Sequence, residues 1–228
     1  LKEETIDTLI EFLNSDIYPF TPGEGSVGYL SVEGHIVMAL IGEGYVFDDD
    51  GEKATADLRA LVDAIHAEGM RCIIDVVYNH TSPDSVLFET HPEWFYRRPD
   101  GTVGNRVGDW TDVIDLDYVN RDLWDYQIET LCQWAEIVDG FRCDVASFVP
   151  LEFWKAARTA VEKVRPGAIW LAESVHRAFG AWARREGMYA ATDLELFDAF
   201  DMEYEYDVWE AFEDYLAGKT TLSHWLDL

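Results

Sequence analysis

Three short apolar runs, each preceded by a helical pattern and each ending on charged or amide side chains, constrain this chain more than any other feature. The first is Cys72-Ile73-Ile74-Asp75-Val76-Val77, followed by Tyr78-Asn79-His80. The second is Phe141 to Val145 and contains Arg142 and Asp144, and the third is Ala168 to Ala172 and leads into Glu173. The first, a continuous apolar run with one acid, reads as a strand buried on both faces, as in a parallel sheet. The helical patterns between them have their own signals. Thr55 is a good N-cap, Leu58, Leu61, Val62 and Ile65 recur at helical spacing, and Gly69 suits the stop. Asn120 caps a second helix that places Trp124, Ile128, Leu131, Ala135 and Val138 on one face. Pro150 opens a third, lined by Phe153, Ala157, Val161 and Val164 and ended by Arg165-Pro166-Gly167. Residues 179–185 predict a fourth helix that stops at Gly187, residues 193–201 another strand, and residues 207–216 a last helix. Alternating strands and helices imply βαβ units and an α/β fold. Residues 1–14 read as helix and 35–41 as strand. Residues 81–118 are turn-rich, aromatic and aperiodic, and form a long excursion.

In a parallel barrel the strand C-termini converge on one mouth, where active sites sit. The three run ends therefore aim Asp75 or His80, Arg142, Asp144 and Glu173 at a common pocket. Two carboxylates beside a guanidinium suit acid/base chemistry on an acetal: one stays ionised, and burial keeps the other protonated near neutral pH. The partners are bounded by charge. The chain carries 45 Asp and Glu against 17 Lys and Arg, a formal net charge of −28. Such a surface repels phosphate backbones and anionic lipid heads, which argues against nucleic acid and membrane. No apolar run approaches the roughly 20 residues of a membrane helix. Cys72, Cys132 and Cys143 have no zinc spacing, and their odd number reads as buried free thiols in a reducing compartment, cytoplasmic rather than secreted.

Asp75-x-x-x-Asn79-His80, Gly140-Phe-Arg142-x-Asp144 and the run ending at Glu173 resemble, in order, three of the four sequence regions of the α-amylase family of retaining glycoside hydrolases. The resemblance covers about residues 55–216. It implies a (β/α)8-type TIM barrel with residues 81–118 as the small subdomain inserted after the third strand. It implies Asp144 as nucleophile, Glu173 as general acid and then base, and Arg142 as the group that orients Asp144. It also implies Asp75 bracing Arg142, His80 on the sugar of the central subsite, and Asn79 as one ligand of a structural calcium. Tyr45 is the candidate aromatic platform under that sugar, and His176 either reaches a neighbouring subsite or caps the next helix. The implied substrate is an α-glucan or oligosaccharide.

The sequence departs from the family in two places. The fourth region, a His-Asp pair on the seventh strand, does not occur, and the chain stops at Leu228 after what resembles the sixth unit. At 228 residues it is short of the roughly 250 of a complete barrel. Residues 1–50 have no clear counterpart of the first two strands. The expected architecture is therefore a truncated or altered barrel, and two function readings stand side by side: a glycosidase or transglycosidase, and a carbohydrate-binding or scaffold fragment without turnover. An oligomer or a partner chain that completes the barrel would cover its open edges. Other features have plainer readings. Asp48-Asp49-Asp50-Gly51-Glu52 is a solvated acidic turn, since Arg59 stands where a calcium loop would close. Among Trp94, Phe95 and Tyr96 at least one is subdomain core, and Asp201 and Tyr204 are candidates to line the cleft.

Overall fold

A computed structural model describes residues 51–67, 69–108 and 110–227. The expectations for residues 1–14, 35–41 and 48–50, and the candidate Tyr45, lie outside the described residues. The chain divides into two compact units, Leu1–Asp75 with Trp134–Gly140, and Val76–Gln133 with Phe141–Leu228.

In the first unit, helix α1 spans Gly51–Ala67 and buries Leu58, Val62 and Ile65. Its backbone is already helical four residues before Thr55, so Thr55 is not the N-cap. Gly69 adopts φ +76°, the left-handed conformation that ends helices at low cost in glycine. The chain then enters strand β1, Ile73–Val77. Asp139 ties the segment together: its Oδ2 accepts from His66 Nε2 at 2.6 Å and from the Cys72 amide at 2.8 Å. Its own amide donates to the Cys72 carbonyl at 2.7 Å. Burial, with the Asp139 charge adding to it, pushes the Cys72 thiol up to about 12, so this sulfur stays protonated.

In the second unit, strands β4 (Gly140–Asp144), β5 (Ile169–Ala172) and β6 (Met202–Glu203) lie side by side in one sheet in that order, β5 and β6 parallel. Strand β1 is not buried on both faces as a core strand would be: Val76 is buried but Val77 is 44% exposed. Strands β2 (His80–Thr81) and β3 (Ile114–Asp115) pair antiparallel, His80 opposite Asp115. They bracket the aromatic excursion, which contains the short helix α2, Val86–Thr90, capped by the Ser85 hydroxyl. The excursion has a small core of its own, Trp94, Phe95, Ile114 and Leu116, packed with Leu123. Tyr96 instead lies under the Arg106 guanidinium, 4.3 Å from its carbon. Helix α3 spans Arg121–Ala135. Asn120 precedes it as expected, yet its side-chain amide donates to the carbonyls of Glu93 and Asp117.

Strand β4 (Gly140–Asp144), helix α4 (Leu151–Val164) and strand β5 (Ile169–Ala172) follow in the expected order. Pro150 occupies the N-cap of α4, one residue earlier than read from sequence. Phe153, Trp154, Ala157 and Val161 form its buried face. Trp154 and Trp170 pack with Phe200 at centroid distances of 5.3 and 6.2 Å, and Trp154 satisfies its indole on the Ala146 carbonyl. Burying each of these rings stabilises the unit by roughly 3 kcal/mol. Helix α5 is Arg177–Arg185, and Gly187 beyond it sits at φ +82°.

The expected strand over residues 193–201 is wrong. A turn of helix, α6 (Asp193–Leu196), stands there instead. Its cause is a capping box: the Thr192 hydroxyl accepts from the Glu195 amide, and the Glu195 carboxylate accepts from the Thr192 amide at 2.8 Å. The strand comes later and is short, β6 at Met202–Glu203, pairing parallel with β5 so that Ala172 faces Glu203. Helices α7 (Trp209–Leu216) and α8 (Leu222–Leu226) end the described chain, with Trp225 packed 4.9 Å from Phe212.

Candidate active site

The C-terminal ends of β4 and β5 are laced together. The Glu173 amide donates to the Cys143 carbonyl, and the Ala146 amide to the Glu173 carbonyl, each at 3.0 Å. The chain achieves this by leaving β4 sharply. Val145 adopts φ 43°, ψ 41°, the one positive-φ non-glycine among the described residues. A left-handed backbone costs an L-residue roughly 1–2 kcal/mol. Here it turns the Val145 amide onto the Glu173 carboxylate, Oε2, at 3.0 Å.

Arg142, only 8% exposed, lies between the two carboxyl groups. Its Nη1 is 2.7 Å from Asp144 Oδ1 and its Nη2 is 2.8 Å from Glu173 Oε1. The rigid guanidinium fork spans both acids, which a point-charge ammonium would not. Tyr206 donates its hydroxyl to the same Glu173 Oε1 at 3.0 Å. Tyr204 places its ring 5.4 Å from the Arg142 carbon. Burial pushes the Glu173 carboxyl above the usual carboxylate range, and the charge of Asp144 adds to this. The Val145 amide and Arg142 pull the other way without winning. A half-buried acid that holds its proton tightly beside a second carboxyl is the arrangement general acid/base catalysis needs.

His80 stands across from Asp144, Nε2 to Oδ2 3.9 Å, too far for a hydrogen bond but close enough for a ligand group to bridge. The Asn79 amide Nδ2 lies 3.2 Å from His80 Nδ1. With Nδ1 accepting there, the ring hydrogen falls on Nε2, a tautomer inferred from this contact. Burial lowers the His80 pKa against the pull of Asp115, Asp112 and Glu173. A neutral imidazole of this kind suits a neutral hydroxyl.

Of the expected residues, Arg142, Asp144, Glu173, His80 and Asn79 thus lie in one unit and, apart from Asn79, face each other. Asp75 is half-buried in the middle of β1 and belongs to the first unit. His176 takes the N-cap position of α5 without a side-chain cap, its ring 5.3 Å from Tyr206 and 3.8 Å from Asp207. Asp201 does not line the site. Its carboxylate accepts from Arg158 at 2.5 Å and from the Trp170 amide at 2.9 Å, closing the rim of β5. Sequence reading missed Tyr206, Trp110 and Phe148. Trp110 sits 5.6 Å from the His80 ring and 6.2 Å from Phe148. Their segments have no periodicity, so nothing in the sequence pointed to these contacts.

A cavity of about 290 Å3 adjoins the site and is lined by Asn79, Arg106, Asp115, Asp117 and Tyr118 among others. Asp115 is buried, and its Oδ1 has no hydrogen-bond partner. Burial raises its pKa despite Arg106, whose Nη1 lies 3.4 Å from the other carboxyl oxygen. An orphaned carboxylate oxygen and a side-chain amide oxygen on one cavity are hard donors that could supply two of the roughly six to eight oxygen ligands a Ca2+ ion takes. Asp193, Glu203 and Glu205 also gather, with one carboxylate oxygen from each within 4.8 Å of the others. Burial first, then Asp193 and Glu205, pushes Glu203 up to about 7.

The aromatic amino acid lyase family model matches residues 1–67, a stretch that contains none of the residues just described. A solved alpha-amylase from Lactobacillus plantarum is similar at 51% identity with a TM-score of 0.71, over 76% of this chain and 41% of that one. An alpha-amylase of Haloarcula japonica is 30% identical over 108 residues, 44% of this chain and 16% of its own length. An alpha-1,4-glucan:maltose-1-phosphate maltosyltransferase of Myxococcus xanthus is 28% identical over 164 residues, 69% of this chain and 23% of its own. The chain therefore spans about a quarter or less of these curated relatives.

Proposed function

We propose that this chain, which is similar to α-amylase family proteins, is a retaining glycoside hydrolase or transglycosidase acting on α-glucosidic bonds of oligo- or polysaccharides. The observation that carries this reading is the single Arg142 guanidinium held at 2.7 Å from Asp144 and 2.8 Å from Glu173. One fork between two carboxyl groups favours the short separation of about 5 Å used by retaining enzymes, where inverting ones leave about 6.5–9.5 Å for a water. Asp144 attacks the anomeric carbon while Glu173 gives its proton to the departing glycosidic oxygen, leaving a glycosyl ester on Asp144. Glu173, now a carboxylate, takes a proton from water or from an acceptor hydroxyl as that oxygen attacks the same carbon and frees Asp144. Water gives hydrolysis and a sugar hydroxyl gives transfer. The neutral His80 hydrogen-bonds a hydroxyl of the sugar between these groups.

In this reading the parallel sheet is part of a (β/α)8 barrel and residues 81–118 form the subdomain that walls the cleft. The substrate is an α-glucan or oligosaccharide, a reading supported by the alpha-1,4-glucan named for the Myxococcus xanthus relative. Asn79 and Asp115 are the residues that would hold a calcium ion. Such an ion would supply a structural cross-link between the end of β1 and the subdomain, and no step of the chemistry runs through it.

The test is turnover of maltooligosaccharides and aryl α-glucosides by the folded chain beside Asp144→Asn and Glu173→Gln. Release of sugar that disappears in both variants supports the reading. A folded chain that binds maltooligosaccharide without turning it over would replace it with the binding-module reading. Addition of Ca2+ after chelation should raise the thermal midpoint of the wild type and leave Asp115→Asn unmoved. An unchanged wild-type midpoint removes the cation.

A further inference from the structure

Three donors reach Glu173 and are unevenly shared, and its carboxyl also shares a side-chain hydrogen bond with Asp144. Oε1 accepts from Arg142 Nη2 at 2.8 Å and from the Tyr206 hydroxyl at 3.0 Å. Oε2 accepts from the Val145 amide at 3.0 Å. A carboxylate oxygen has two lone pairs in its plane, so Oε1 is filled by its two donors and the hydrogen bond shared with Asp144 falls to Oε2. We propose that Tyr206 is a positioning residue for Glu173: its hydroxyl closes the second lone pair of Oε1 and confines the exchangeable proton to Oε2. This rests on the reading of Glu173 as acid and base, and assigns the oxygen that does the work.

The consequence differs from that of the other two donors. Arg142 is shared with Asp144, and the Val145 amide is part of the backbone turn. Tyr206 is the donor whose removal leaves the frame of the site intact, because its ring keeps independent packing at 6.0 Å from Tyr204 and 5.3 Å from His176. The hydroxyl acts on the ionised form, since a charge-assisted hydrogen bond to a carboxylate is about twice as strong as a neutral one. The groups facing Glu173 or the Tyr206 ring are Arg142 and Asp144 on β4, His80 on β2, His176 ahead of α5, and Tyr204 and Asp207 flanking Tyr206. The Val145 amide and Arg142 oppose the rise that burial imposes on Glu173 and already do so in the wild type, so loss of the Tyr206 hydroxyl is not made up by a new donor. In Tyr206→Phe a lone pair of Oε1 opens, the proton spreads over both oxygens, and the anion is less stabilised.

The experiment is a 13C titration of the glutamate side-chain carboxyls in wild type and Tyr206→Phe, with Glu173→Gln identifying the resonance. It is run beside pH profiles of kcat and kcat/KM. The Glu173 midpoint should move up by about one pH unit, the size one charge-assisted hydrogen bond supports. The basic limb of kcat/KM should move with it, and kcat should fall more than KM changes. A Glu173 midpoint unchanged in Tyr206→Phe overturns the inference. A midpoint that rises in a chain without turnover upholds the hydrogen-bond role of Tyr206 while removing the glycosidase reading.

Discussion

Replacing Arg142 by methionine keeps most of the side-chain volume and removes the charge that separates two acids. The size of the effect follows from the contacts. Arg142 makes hydrogen-bonded ion pairs of 2.7 and 2.8 Å, and its side chain is 10% exposed against 20% for Asp144 and 19% for Glu173. Removing one partner from a buried pair costs about 3–5 kcal/mol, because the remaining charge is left desolvated. Two bonds to charged groups at about 1.5–3 kcal/mol each lead to the same range. The loss should depend on pH. Burial already raises the folded pKa of Glu173 above 4.5, and losing Arg142 raises it further. A carboxyl whose folded pKa is raised binds its proton more tightly in the native state. Its destabilising effect is therefore greatest above the folded pKa and fades as pH falls through that pKa toward 4.5. Urea unfolding of wild type and Arg142→Met at pH 8 and pH 5 should give a difference of about 3–5 kcal/mol at the higher pH and a clearly smaller one at the lower. Arg142→Lys should fall between, since an ammonium retains the charge without the fork. A penalty below about 1 kcal/mol at pH 8, or one of equal size at both pH values, would refute the account of Arg142 as the counter-charge of this pair.

Three further expectations concern the frame around the site. Tyr118 donates to the Tyr78 carbonyl at 2.6 Å and lies 2.7 Å from Gln127 Oε1, so Tyr118→Phe leaves buried acceptors unsatisfied and should cost about 1–3 kcal/mol in chemical unfolding. Thr192→Ala removes half of the capping box that creates α6 and should cost about 1 kcal/mol, whereas Thr192→Ser should be nearly neutral. The Cys72 thiol, pushed up to about 12, should stay unmodified by a thiol-specific reagent at pH 8 in the native state and react at once in denaturant. Fast native labelling at Cys72 would contradict its burial.

How much was legible in the sequence can be seen element by element. The runs at 72–77, 141–145 and 168–172 read as strands because helical periodicity breaks there, and strands stand at 73–77, 140–144 and 169–172. Leu131, Ala135, Phe153, Ala157 and Val161, named from spacing alone, are buried. Residues 193–201 failed because Leu194, Leu196, Phe197 and Phe200 look like a strand. The Thr192–Glu195 cap, a purely local interaction, outweighed that pattern. Within the site, Arg142, Asp144 and Glu173 were visible because each lies in, or directly after, a strand that the sequence pattern had already placed.

The sequence by itself determined the alternation of strands and helices, the side chains at the strand ends, and the acidic balance that disfavours polyanion partners. These are local or compositional properties, written in spacing and charge. The tertiary structure alone decided that one guanidinium bridges both acids, that Val145 turns left-handed to offer its amide to Glu173, and that Tyr206, 33 residues away in sequence, reaches the same carboxylate. Such contacts arise from parallel strands lying side by side, so that residues far apart in the chain share one sheet edge. No periodicity in the chain records which of them will meet.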